Sequence, residues 1–300
     1  MNILVGIDGS AHSDRALSWA LREAELHAAR VTVLNAFRVR EFAGALGRDV
    51  SLDAERSDAR EAVEQALQRV AGDGHPRGVE VETAAVTGRG AADAILRHRG
   101  EADLIVIGSR GLGGFPGLLL GSVSQQVAAH ADVPVAVIPR HDEAVHDVTD
   151  GMRSIVVGID GSAASVQALH WAAAEAAVRD VPLTAVYVYR SLRASAPFDA
   201  LNSVPEDQLA ALEEQAGETA LRKLDALLAE AGGIGGVTVE RRVKSGTPAK
   251  VLITDAADET NMLVVGSRGH GGFRGLLLGS VSQQCLHHAH GPVVVTPVHH

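Results

Sequence analysis

One unusual phrase occurs twice in this chain, and the repeat constrains the fold more than any other feature. GSRGLGGFPGLLLGSVSQQ at 108–126 returns as GSRGHGGFRGLLLGSVSQQ at 266–284, with changes only at Leu112/His270 and Pro116/Arg274. The opening ILVGIDGS at 3–10 returns as IVVGIDGS at 155–162, an offset of 152, and ALSWA at 16–20 returns as ALHWA at 168–172. The glycine-rich phrases are offset by 158, so the second copy holds about six extra residues between these landmarks. An insertion of that size belongs in a loop, and 190–205 is its natural place. The expected organisation is two similar domains in tandem, 1–140 and 153–300, joined by a polar, charged linker at 141–152.

Within each copy, apolar strand runs alternate with Ala/Leu-rich helical stretches. In the first, runs at 3–7, 31–37, 79–86, 104–107 and 133–138 are separated by helical stretches near 13–28, 52–71, 90–100 and 121–130; the second repeats the order, with a long helix near 206–231. Strands apolar on both faces and separated by helices indicate a parallel sheet covered on both sides. Ligands of open parallel sheets bind beyond the carboxyl ends of strands, where strand order reverses. Asp8-Gly9 closes strand one and the glycine phrase begins at the end of strand four, so both line one crevice if strands one and four are neighbours. The expected fold is α/β: two tandem open parallel five-stranded sheets, order 3-2-1-4-5, with helices on both faces and right-handed crossovers, Rossmann-like or flavodoxin-like. Strand five, at 133–138 and 293–296, then forms a bare apolar edge, which leads to the expectation of a pseudo-dimer within the chain and of a homodimer of chains.

Charge narrows the partners. The chain of 300 residues carries a formal charge of -10, against a general role in binding nucleic acid or an anionic membrane. No apolar run reaches the roughly 18 residues needed to span a bilayer, and MNILVGID opens without a basic region, so a cytoplasmic location is expected. The single cysteine, Cys285, has Val127 as its counterpart and reads as a small buried apolar residue. His287, His288 and His290 crowd the last helix of the second copy, but without a carboxylate at ligand spacing they define no metal set.

A strand end, several glycines and a serine-bearing helix start are the parts of a phosphate cradle. Gly108 lets the chain turn out of its strand, Gly111 permits close backbone approach to a ligand, and Gly121 opens the helix without a side chain over its first amides. Ser122 and Ser124 add hydroxyl donors, while Arg110 and Arg268 either reach a phosphate or stand solvated. No G-x4-G-K-[ST] phrase supplies a Walker lysine, and no G-x-G-x-x-G follows strand one. No general base and no pair of magnesium-holding acids accompany the glycines at motif spacing. Ser122 and Ser280 read as phosphate ligands rather than nucleophiles, and no catalytic residue is assigned.

Gly108-x2-Gly111-x9-Gly121-Ser122, after the strand LIVIG, resembles the ATP-binding signature of the universal stress protein family, as does Gly266-x2-Gly269-x9-Gly279-Ser280. The likeness covers nearly all of both halves and is to the tandem members of that family. It implies ATP as ligand, with or without Mg2+. Asp8 and Asp160 would lie near the nucleoside, the backbone of Ala36 and Val188 near adenine, and Gly6 and Gly158 among the binding positions. Gly108, Gly111, Gly121, Ser122, Val123 and Ser124 would hold ribose and phosphates, as would Gly266, Gly269, Gly279, Ser280, Val281 and Ser282. The two sites need not be equal, since Asn35 is Tyr187 in the second copy and the loop residues His270 and Arg274 differ from their counterparts. Against this, Asp8 and Asp160 also suit a helix N-cap or a turn acid. Three readings follow: an ATP-binding regulatory protein whose protein partner is unknown, a slow ATPase or nucleotidyl transferase, and a nucleotide-independent structural or chaperone-like oligomer.

Overall fold

The structure, a computed structural model, describes residues 1–37, 52–71, 78–111, 120–139, 152–191, 205–232, 234, 236–258, 260–270 and 277–298. The expected linker lies outside them except for Met152, as do most of the 190–205 insertion, Leu112, Pro116, Arg274 and the terminal His299 and His300. The chain divides into two compact units that meet in sequence between Gly151 and Met152.

The first unit is built on strands with little polar character. β1 (Asn2–Ile7) and β4 (Leu104–Gly108, LIVIG) lie side by side, with Ile3 opposite Leu104, and all five residues of β4 are buried. β2 (Arg30–Phe37) pairs with β1 on its other side, and β3 (Glu80–Thr87) pairs with β2. β5 (Val135–Ile138) pairs with β4, so the order is β3-β2-β1-β4-β5, every pair parallel. Parallel neighbours need crossovers, and the helices supply them: α1 (Ala11–His27), α2 (Leu52–Ala71), α3 (Ala91–Arg97) and α4 (Ser122–His130). α1 packs on α2 and α3 on α4, one pair to each face of the sheet. Ala16, Leu17, Ala20 and Ala24 form the buried stripe of α1, and their spacing of three and four is what sets that face against β1 and β4.

The second unit repeats the plan. Its elements are β6 (Ser154–Ile159), α5 (Ala163–Arg179), β7 (Leu183–Tyr189), α6 (Glu206–Ala231), β8 (Val239–Ser245), α7 (Pro248–Asp255), β9 (Asn261–Gly266), α8 (Ser280–His288) and β10 (Val293–Thr296). Strand order is β8-β7-β6-β9-β10, the same 3-2-1-4-5 arrangement. α6 is longer than its counterpart α2, 26 residues against 20. No helix of the described residues is long and apolar enough to cross a membrane.

Candidate functional site

The carboxyl end of β1 is shaped by the turn Asp8-Gly9-Ser10. Gly9 holds φ of 83° and its repeat Gly161 holds 87°, a left-handed backbone that other residues resist. That turn folds Ser10 back on Asp8, whose Oδ1 accepts from the Ser10 amide at 3.1 Å and from Ser10 Oγ at 2.6 Å. Ser10 Oγ in turn accepts from the Ser13 amide at 3.2 Å and is the N-cap of α1. Asp8 is therefore the turn acid and Ser10 the cap; Ser162 caps α5 in the same way.

The glycine phrase begins where β4 ends. The Ser109 amide donates to Ile138 O at 2.8 Å, and the Gly121 amide returns to Ser109 O at 2.7 Å, which pins both ends of the loop to one point. Ser124 Oγ donates to Gly108 O at 2.8 Å. Its proton is thus engaged by the loop, a correction to the expectation of a free hydroxyl donor; Ser282 does the same with Gly266 O at 2.6 Å. Gly121, the N-cap of α4, is extended at φ -79° and offers no side-chain acceptor. The helix start that serine closes in α1 is left without a side-chain cap in α4, and its outward amides keep their partial positive charge.

Two of the glycines act through space rather than through turning. A Cβ on Gly108 would come within 2.9 Å of the His12 carbonyl oxygen at the start of α1. A Cβ on Gly111 would fall on the Asp8 carboxylate. The loop and the acid therefore interlock, and either residue moves only if the other gives way.

These parts enclose a cleft of about 350 Å³. Every first-copy position that the resemblance assigns to the ligand lines it: Gly6, Asp8, Ala36, Gly108, Gly111 and the 121–124 turn of Gly121, Ser122, Val123 and Ser124. Arg110 lines it as well. Its apolar wall, Leu34, Ile95 and Ile107, was not anticipated, although a signal existed: Ile95 and Leu252 recur at matching places in short helices. The bare Cα of Gly6 lets Ile95 lie against the sheet, since a Cβ there would meet Ile95 Cδ1 at 2.9 Å.

In the second unit the same positions repeat the construction. Asp160 Oδ1 accepts from the Ser162 amide at 2.9 Å and from Ser162 Oγ at 2.6 Å, and Oδ2 accepts from the His270 amide at 3.1 Å. Burial works to raise this carboxyl, but the hydrogen bonds from Ser162 and His270 outweigh it and hold Asp160 below the usual carboxylate range. Gly269 interlocks with Asp160 as Gly111 does with Asp8, and Gly158 makes room for Leu252 as Gly6 does for Ile95. Gly279 caps α8 without a side-chain acceptor, ahead of Ser280, Val281 and Ser282. The His270 ring adds a contact with no counterpart among the described residues of the first unit, its Nδ1 3.8 Å from Asp160 Oδ1.

The residues Asn35 and Tyr187, which differ between the copies, face away from the crevice side of their strands. Side chains alternate across a strand, so Val186 and Val188 share the side of Leu34 and Ala36, whereas Asn35 and Tyr187 point to the other side. Asn35 Nδ2 donates to Ile7 O at 3.2 Å and Tyr187 lies beneath Lys223, and Asn35 is not among the residues that line the first-unit cleft. Cys285 is buried and its thiol is pushed up to about 12, in keeping with a small apolar residue. Burial, followed by the neighbouring His288, lowers the His287 imidazole below its usual range.

The sequence matches the profile of the universal stress protein family over residues 1–139 and again over 151–297. The chain belongs to the universal stress protein family. A universal stress protein of Mycolicibacterium smegmatis is 36% identical over 297 residues, with 98% of this chain and 96% of the relative covered. The Mycobacterium tuberculosis universal stress protein Rv2623 is 32% identical over 302 residues, covering 98% and 96%. Among solved structures, a universal stress protein from Archaeoglobus fulgidus shares the fold at 22% identity with a TM-score of 0.65, over 99% of this chain and 96% of that one. The tandem plan of this universal stress protein is thus shared along almost its whole length.

Proposed function

We propose that the chain is a nucleotide-binding regulatory protein that holds one ATP in each unit and acts through nucleotide-dependent changes of its glycine loops and of the surfaces beside them. The observation that carries this reading is the first-unit cleft, in which an uncapped helix start faces an acid fixed at the end of β1. The chemistry of the lining suits the parts of an adenine nucleotide. Leu34, Ile95 and Ile107 offer an apolar wall to a base, and the backbone of Ala36 offers it edge hydrogen bonds. The Asp8 carboxylate accepts from sugar hydroxyls, and the amides at Ser122, Val123 and Ser124 with the Gly111 backbone receive phosphate oxygens. A volume of about 350 Å³ falls in the range of small-ligand sites. Asp160, Val188 and the turn at Gly279 supply the corresponding groups in the second unit. Mg2+, where present, arrives on the phosphates, with Asp8 the carboxylate at hand.

The test begins with protein purified without added ligand. Denaturation and chromatography are expected to release about two ATP per chain, one for each unit. Gly111→Ala combined with Gly269→Ala is expected to remove most of that nucleotide while preserving the fold, because the group displaced in each case is the end of an aspartate side chain. Full affinity in the double variant, or the absence of both co-purified nucleotide and binding of added ATP, would overturn the proposal.

A further inference from the structure

The second unit has another cleft, of about 420 Å³, and it belongs to neither glycine loop. It lies between the end of β7 and α6, on the side of the sheet to which Tyr187 and Tyr189 point. The second-unit residues that match the first crevice, Val186 and Val188, lie on the opposite side of the same strand.

Both tyrosines of the chain are in this cleft. On α6 the facing positions are 212, 215, 216, 219, 220 and 223, a single stripe at spacings of three and four. Small residues at the middle of the helix keep its backbone close while leaving the rings unobstructed: a Cβ on Gly217 would lie 3.4 Å from the Tyr189 hydroxyl. Leu212, 44% exposed, adds an apolar surface that the fold itself does not bury.

Two cations stand at this gap, while most cations of the unit are paired. Arg179, Arg222, Arg241, Arg242 and Lys244 each have a carboxylate partner. Arg190 and Lys223 line the cleft and have none among the described residues, and Lys223 Nζ stands 5.3 Å above the centre of the Tyr187 ring. In a chain with a net charge of -10, two cations left over beside two aromatic rings constitute a local preference for an anion with a planar apolar body. The guanidinium pairs two-pronged with a carboxylate, and ring faces suit an aryl group. Among the described residues that line it there is no glycine loop to spread the charge of a polyphosphate.

We infer that this cleft is a binding site for a small aromatic carboxylate, held by Arg190 and Lys223 at its charged end and by Tyr187, Tyr189 and Leu212 along its ring. Among the described residues the first unit does not repeat its ring pair, because Asn35 stands in place of Tyr187 and is tied to the Ile7 carbonyl.

Calorimetric titration of the full chain with 2-naphthoate tests the assignment, with 2-naphthamide, octanoate and ATP as comparison probes. The expected result is one saturable naphthoate site per chain with Kd between about 10 μM and 1 mM, and binding weaker by about tenfold for each of Arg190→Gln and Lys223→Gln, both surface changes compatible with folding. Binding should survive saturating ATP and the Gly111→Ala, Gly269→Ala pair, so its failure is separable from failure of the nucleotide reading. The inference is overturned if naphthoate does not saturate, if the amide binds as well as the acid, or if octanoate binds as well as naphthoate. It is equally overturned if the two cation variants leave affinity unchanged, or if ATP displaces naphthoate.

Discussion

Asp160 shows how one residue of the site couples to pH. Its folded carboxyl is held below the ordinary value of 3.8, so the stabilisation from this group is complete above that pH and is lost as pH falls through the lower folded value. Asp160→Asn is therefore expected to lower the urea midpoint near neutral pH, with the two proteins converging in acid; unfolding curves between about pH 7 and pH 2.5 check it. A gap that stayed constant down to the lowest pH would show that the loss is one of shape rather than charge. Asp8 and Asp160 were legible from sequence because Asp-Gly-Ser dictates a local turn and needs nothing distant to place the acid. Ser124 was misread, because the partner of a hydroxyl proton depends on where a loop carbonyl 16 residues away comes to rest. Tyr187 was named only as a difference between the copies at the position of Asn35, and the strand's alternation turns it to the face opposite Val186 and Val188.

Among elements, the end of β9 meets the start of α5 closely at a glycine. A Cβ on Gly266 would lie 2.6 Å from the Ala164 carbonyl carbon, a backbone atom that moves only with its helix, whereas one on Gly279 would find its nearest neighbour at 3.4 Å. Gly266→Ala should therefore destabilise the protein by about 1–3 kcal/mol and Gly279→Ala by much less, as measured by denaturant unfolding. Equal effects would mean that the strand end and α5 separate more easily than their packing indicates. Most element positions were readable from apolar runs and helical spacing, and the misplaced ends have local causes. β5 starts at Val135 rather than 133, as Pro134 has no amide to give to the ladder although its carbonyl accepts from Ile105 at 3.0 Å. α3 stops at Arg97 rather than near 100, where His98 leaves helical geometry and Gly100 turns at φ 53°. The α6 cleft had no signature, because its residues come together only when a strand end and a helix beyond the insertion pack.

For the molecule as a whole, the repeat made the architecture legible: two copies of one strand–loop–helix plan recur on the same strand order. Its net charge of -10 predicts an unusual approach for a polyanion, since the long-range field repels ATP and only local amides and arginines attract it. Association should speed up as salt rises from about 10 mM to 150 mM and the screening length shrinks from roughly 30 Å to 8 Å. Stopped-flow binding at several salt concentrations checks this, and a rate that fell over that range would show that the local cations govern encounter. The aromatic residues are unevenly distributed as well. Trp19 is buried in α1 of the first unit, Trp171 lies in α5 of the second, and both tyrosines flank the α6 cleft. The protein thus carries its own optical labels: indole emission is divided one per unit, while phenol absorbance arises wholly from one face of the second, so a spectrum of the unmodified chain can report which half a ligand or denaturant reaches first.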